Sequence, residues 1–219
     1  MDPDQMKEVY LTLSNECHHW KTVSIILKGF FSMSALEFFS MVAPANYPIL
    51  ELFCLVFDMP FWQALPAGFF DRAPMLNDIH MDLLVTNDLP WSQITTFTTS
   101  GLIVKEQFII LCESLQLQTL EFQIYDKWHM TSVAHSYPLV HASLATFEAP
   151  DISSFSCLML FTLTNLCINN IVSKNNANNF TAFVTLSTSP LILLRLKELE
   201  LNQAFDTLNL KMVIALALY

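Results

Sequence analysis

One arrangement recurs along this chain and constrains its fold more than any composition figure does. A strand, a short amphipathic helix and further strands follow one another near Val9, again near Gln93 and again near Phe147. In the first copy, Val9-Tyr10-Leu11-Thr12-Leu13 alternates apolar and polar residues, the period of a strand. Ser14 or Asn15 can cap the helix that follows. Trp20, Val23, Ile26, Leu27 and Phe30 recur at helical spacing, and Gly29 is placed to stop them. Leu36–Met41 and Ile49–Phe57 read as strands around the turn chemistry of Pro44-Ala45-Asn46-Tyr47-Pro48. Repetition of such a unit implies stacked or ring-arranged copies.

The second copy starts with a polar strand, Gln93 to Ser100, and a helix with Val104, Phe108, Leu111 and Leu115 on one face. Strands are expected around Leu120, Phe122 and Ile124, over Trp128–Ala134 and over Leu139–Phe147. Pro150-Asp151 breaks the run. Ser153 or Ser154 then caps a third helix carrying Phe155, Leu158, Met159, Thr162 and Leu166. Lys174–Asn179 is a polar turn, and Phe180–Leu186, Leu191–Leu201 and Leu210–Leu218 close the chain as strands. Between the first two copies, Asp58 to Pro74 is apolar and broken by prolines, with Gly68-Phe69-Phe70 expected to pack on a core. An acidic connector, Asn77 to Pro90, follows it. This divides the chain into an incomplete N-terminal domain at 1–76, a connector at 77–92 and a C-terminal domain at 93–219, in an α+β fold. Only three glycines serve 219 residues, so Asn, Asp, Pro and Ser must make the turns.

Hydrophobic residues make up 53% and charged residues 14%, and mean hydropathy is +0.42. Such a chain has a large subunit interface, sits in a membrane, or is poorly soluble alone. A membrane helix needs about 20 apolar residues. Val23–Ala43 and Tyr47–Phe70 carry charges, and Ser153–Val172 is uncharged but holds Asn165, Asn169 and Asn170. The last is the one stretch that keeps a membrane-associated reading open. The start, Met1-Asp2-Pro3-Asp4, is acidic with no apolar run behind it, unlike a secretory signal. Net charge is −10 with the ten basic residues scattered, which argues against a free-standing nucleic-acid binder.

The five cysteines form no CxxC and read as reduced core thiols of an intracellular protein. Cys17-His18-His19 has no second ligand pair at zinc spacing, and His129, His135 and His141 sit six apart with no fixed geometry. No nucleophile elbow, glycine-rich phosphate loop, HExxH or acidic metal cluster is present. The chain is therefore expected to be no enzyme and to use no cofactor, metal or small-molecule substrate.

The collinear order of several stretches resembles the DNA sliding clamps of the proliferating cell nuclear antigen type and their checkpoint-clamp relatives. Val23–Lys28 is similar to the second helix of their first domain, and Ile49–Phe57 to that domain's closing strand. Asn77–Pro90 is similar to their connector, Phe108–Leu115 to the first helix of the second domain, and Phe183–Leu191 and Leu210–Ala215 to its last strands. The first strand–helix–strands unit has no counterpart. The resemblance implies a sliding-clamp-like fold whose subunits close a ring around duplex DNA. The function implied is non-catalytic: tethering replication or repair factors to DNA in the nucleus, or at a site of viral or cellular DNA replication. It implies a partner-peptide pocket at Leu89, Pro190, Val213 and Ala215, with Lys21 and Lys28 facing DNA. Partners would be other clamp subunits, polymerase or repair-factor peptides and duplex DNA. The family's inner helices are basic, whereas the matching positions here include Ile110, Glu113, Leu158 and Asn165. A second reading follows from that departure: a clamp-fold interaction module that has lost DNA encirclement.

Overall fold

The structure, a computed structural model, describes residues 3–27, 46–57, 65–66, 68–81, 89–100, 110–123, 139–151, 158–170, 183, 187 and 190–198. It is a mixed helix-and-strand fold built on parallel strands. Helix α1 (Pro3–Glu16) runs into a 3-10 turn at Cys17–His19. Ten strands follow: β1 (Thr22–Leu27), β2 (Leu52–Phe57), β3 (Asp78–Met81), β4 (Thr96–Ser100), β5 (Thr119–Gln123), β6 (Leu139–His141), β7 (Thr146–Asp151), β8 (Leu158–Leu160), β9 (Asn165–Asn170) and β10 (Leu193–Glu198). Eight of them form one sheet in the order β1-β2-β3-β4-β5-β7-β9-β10, and β6 pairs with β8 in a second, smaller sheet. Every pairing is parallel.

A parallel sheet whose spatial order follows chain order has one simple construction. Each connection carries the chain back to the same end and lays the next strand beside the last, as in a solenoid. The register confirms it. Thr22, Leu52, Asp78, Thr96, Thr119, Thr146, Asn165 and Leu193 are successive Cα partners across the large sheet. We number each coil from that residue as position 0. Coils are 18 residues (Asp78 to Thr96) to 30 residues (Thr22 to Leu52) long.

In this frame one sequence pattern explains the core. Position +1 is Val23, Phe53, Ile79, Phe97, Leu120, Phe147 and Leu166, all buried, with Leu194 packed against them. Position −2 is Leu50, Leu76, Ile94, Leu117, Leu144 and Leu163, all buried, flanked by the partly buried Trp20 and Leu191. Position −5 is Cys17, Tyr47, Ala73, Trp91, Ser114, His141 and Leu160, again buried. Position +3 continues with Leu55, Met81, Thr99, Phe122, Ala149 and Ile168. Spacing of three, three and two turns the chain through a corner and then into a strand. The strand's period of two sends +1 and +3 to one face.

The corner is hydrogen-bonded locally. The −2 amide reaches back to the −5 carbonyl in Trp20→Cys17, Leu50→Tyr47, Leu76→Ala73 and Leu117→Ser114. Coils are then tied by a bifurcated step. Each −1 carbonyl accepts the −1 and 0 amides of the next coil, from Lys21 through Glu51, Asn77, Thr95, Gln118, Ala145 and Thr164 without a gap. In coils six and seven the two sheets run together, since β6 and β8 precede β7 and β9 by the same interval. An aromatic cluster fills the early coils: Phe53 lies 5.0 Å from Phe70 and 5.7 Å from Phe69, and Tyr47 lies 5.7 Å from Phe69. The Phe69-Phe70 segment is thus buried, as the sequence suggested. Gly68 precedes it at φ +70, where a Cβ would meet the Asp71 carboxylate at 2.7 Å.

Several expectations are corrected. Val9–Leu13 lies in α1, not in a strand, and Val9, Leu11 and Leu13 are exposed. The helix expected through Trp20, Val23 and Ile26 is the 3-10 turn plus strand β1, and Ile26 is 60% exposed. The third helix, over Leu158–Leu166, is β8 and the start of β9. The stretch Ser153–Val172, weighed as a membrane span, holds these strands, and no helix among the described residues is long and apolar enough to cross a membrane. The acidic connector contains β3, which pairs with β2 and β4, so the large sheet runs through it unbroken. Pro150 sits inside β7; β5 pairs only as far as Glu148, so the missing amide of Pro150 leaves that ladder intact. The second helix is described only as a turn at 110–113, where Leu111 is buried but Leu115 is 71% exposed. The strand–helix–strands unit is not found among the described residues. Leu36–Met41, Trp128–Ala134 and Leu210–Leu218 lie outside them.

Candidate binding face

All-parallel sheets are ordinarily covered on both faces. Here one face holds the core, and the other is the alternate side of the pleat, positions 0 and +2. Its position-0 row is Thr22, Leu52, Asp78, Thr96, Thr119, Thr146, Asn165 and Leu193, and from Leu52 to Asn165 these residues are half-buried. Its +2 row, in register, is Ser24, Cys54, His80, Thr98, Glu121, Glu148, Cys167 and Arg195. The centre of the face is therefore polar and hydroxyl-rich, with three carboxylates, Asp78, Glu121 and Glu148. Asn165 Nδ2 donates to Thr146 Oγ1 at 3.2 Å, linking two strands across it.

The β3–β4 region of this face has two peculiarities. His80 Nε2 stands 3.0 Å from Asp78 Oδ1, close enough for an ion pair when the ring is protonated. Yet Asp78 Oδ1 receives no directed hydrogen bond, and neither does Thr98 Oγ1. Among the described residues these are the buried side-chain polar atoms without a hydrogen-bond partner. Thr98 is 4% exposed, although it projects away from the core-facing Phe97 and Thr99. It is a short side chain between two longer ones, His80 and Glu121, on the neighbouring strands.

His141 is the buried histidine of the −5 row. Its Nε2 lies 2.9 Å from the Ser114 carbonyl, and its Nδ1 accepts the Leu144 amide at 3.2 Å. It therefore replaces the backbone carbonyl that closes the corner in other coils. A ring that accepts at Nδ1 and donates at Nε2 is neutral, and burial lowers its pKa, partly opposed by the bond to Ser114. Burial also pushes the Cys17 thiol up. It raises the Tyr47 phenol well beyond its usual range, with Cys17 adding to the effect. Neither is poised as a nucleophile.

The residues singled out from sequence are not brought together. Leu89 packs against the core from the loop before β4. Pro190 is exposed ahead of β10, and Val213 and Ala215 lie outside the described residues. Lys21 is exposed and pairs with Glu51 at 3.3 Å at the start of the first two coils; Lys28 lies outside the described residues. His129 and His135 do as well. Cys17 is buried and Cys54 and Cys167 half-buried, but Cys112 is exposed, not a core thiol; among the described residues none of the four is in a disulfide. No group of His, Cys, Asp or Glu able to hold a metal is found among the described residues. Sequence reasoning passed over the 0 and +2 rows. They become visible only when segments are aligned on the three-three-two apolar spacing. No protein-family model, curated protein or solved structure matches this chain.

Proposed function

We propose that this protein is a non-catalytic scaffold that holds another protein against the open face of its parallel sheet. The observation that carries the reading is a sheet of eight single-file parallel strands with one face packed on the core and the other, among the described residues, carrying two aligned rows that are mostly polar and mostly half-buried at the centre. One strand per coil and coils of 18 to 30 residues are close to the geometry of leucine-rich solenoids, whose extended surfaces serve as binding platforms. The sheet is continuous and its core apolar, so the face is pre-organised and little ordering entropy is lost on binding. Recovery of partners from extract should be abolished by Thr119→Arg, which places a long cation at the centre of the face. It should be unchanged by Cys112→Arg on an exposed position away from it. Equal recovery by both variants would exclude the face.

A sliding-clamp subunit remains the reading implied by the collinear resemblance. It rests on that resemblance and on Lys21 and Lys28. Retention on nicked-circle DNA in the presence of a clamp loader tests it directly, and a chain that is never retained is not a clamp.

A further inference from the structure

We infer that the outer ridge of the solenoid's corner, positions −4 and −3 of successive coils, is a contact between two copies of this chain packed antiparallel about a two-fold axis. These positions lie in the corner before each strand, so the contact leaves the open face of the sheet free. The −5 and −2 residues on either side of them are buried, which turns the two between outward. The −4 row is Pro48, Pro74, Ser92, Leu115, Ala142 and Phe161, and all six are exposed. Beside it in the −3 row, Ile49 is 46% and Met75 52% exposed, and Leu115 reaches 71%. Corners tied coil to coil hold these rows at strand spacing. The large apolar side chains thus form one strip, unlike the singly scattered apolar residues of an ordinary surface.

Two properties select a second copy as the occupant. First, neither row carries a charged residue from coil two to coil seven, in a chain of net charge −10. Among the described residues the bordering charges, Lys21 and Glu51 at −1 and Arg72 and Glu113 at −6, lie outside both rows. Two copies of an acidic chain repel each other least along an uncharged strip. Second, the strip is self-complementary. A two-fold axis between coils four and five sets coil four against five, three against six and two against seven. Leu115 then meets Ser92 of the second copy, Met75 meets Ala142, and Phe161 meets Ile49. In the inner two pairs a large side chain faces a small one, and in an isologous contact each pairing occurs twice. At the ends, exposed His19 of coil one meets exposed Pro190 of coil eight. The strip runs seven strand steps, about 34 Å at about 4.8 Å each, but is only a corner wide. It falls at the small end of specific interfaces, so the dimer should be weak, with a Kd on the order of 10 μM.

Sedimentation velocity on the full chain over about 1 to 100 μM should show a monomer–dimer equilibrium. Leu115→Glu places two carboxylates close to the axis and should weaken dimerisation at least about tenfold; its thermal melting should match the parent, since the site is exposed. Ile26→Glu, at an exposed position on β1 outside the strip, should change nothing. A Cys112→Ser chain carrying both Met75→Cys and Ala142→Cys should form a covalent dimer under mild oxidation, and neither single variant should. Within one chain the two positions are three strand steps, about 14 Å, apart, beyond disulfide reach, and across the axis each faces the other and not itself. A strict monomer, a dimer indifferent to Leu115→Glu, no covalent dimer from the double variant, or single variants that cross-link equally well overturns the inference. If the chain is a monomer and Leu115→Glu lowers partner recovery from extract, the strip belongs to a different protein.

Discussion

At the residue scale, His141 and Thr98 show what a repeated coil does with polar side chains. His141 fills a −5 site that Leu160 fills in the next coil, and it does so by standing in for backbone at a corner. Protonation would turn Nδ1 into a donor facing the Leu144 amide. The folded pKa is lowered from about 6.5, so the unfolded chain binds the proton more readily. The stability this neutral ring contributes is present above that value and is lost as pH falls through it toward the folded pKa, by at most about 1.4 kcal/mol per pH unit. Thermal melting at pH 7 and pH 5 should show the loss. His141→Gln, which keeps a donor and an acceptor, should reduce it; an unchanged pH dependence in that variant would place the titration elsewhere. Thr98 makes the opposite case. Its hydroxyl has no hydrogen-bond partner among the described residues, so Thr98→Val should leave stability unchanged or raise it by about 1 kcal/mol, as chemical denaturation would show. Neither setting was legible in sequence, because a lone His or Thr between apolar residues looks alike whether it caps a corner or lies buried on a sheet face.

At the scale of elements, the coil explains both what was legible and what was misread. Strands with strong alternation, Leu52–Phe57, Thr96–Ser100, Thr119–Gln123 and Leu193–Glu198, fall within expected strands. One source lies behind the helices expected where strands are found. Apolar residues at −5, −2 and +1 are three apart, which is close to a helical period. Thus Cys17, Trp20 and Val23, or Leu160, Leu163 and Leu166, imitate a helix face up to the point where +3 breaks the spacing. Leu76, Ile79 and Met81 carry the same signature inside what read as an acidic connector. Two substitutions probe the coil. Leu163→Ala removes a fully buried −2 side chain and should cost about 2–5 kcal/mol in denaturant unfolding. Ala145→Pro deletes an amide that donates to Gln118 O in the bifurcated step; it should destabilise by at least about 1–3 kcal/mol, far more than Ala145→Ser.

At the scale of the whole molecule, strands stacked in one file make length, not enclosure, the organising dimension. A solenoid's contacts are between neighbouring coils, so damage in one coil should spread to its neighbours first. The same geometry sets the distances along the open face. Spin labels placed pairwise at Ser24, Glu121 and Arg195, all in the +2 row, in a background with the native cysteines replaced, measure it by double electron–electron resonance. Four strand steps separate Ser24 from Glu121 and seven separate Ser24 from Arg195. At about 4.8 Å per step, the account predicts about 19 Å for the first pair and about 34 Å for the second, before label length is added. A Ser24–Arg195 distance no longer than Ser24–Glu121 would mean the strands are not in single file, and the binding face described here would not exist.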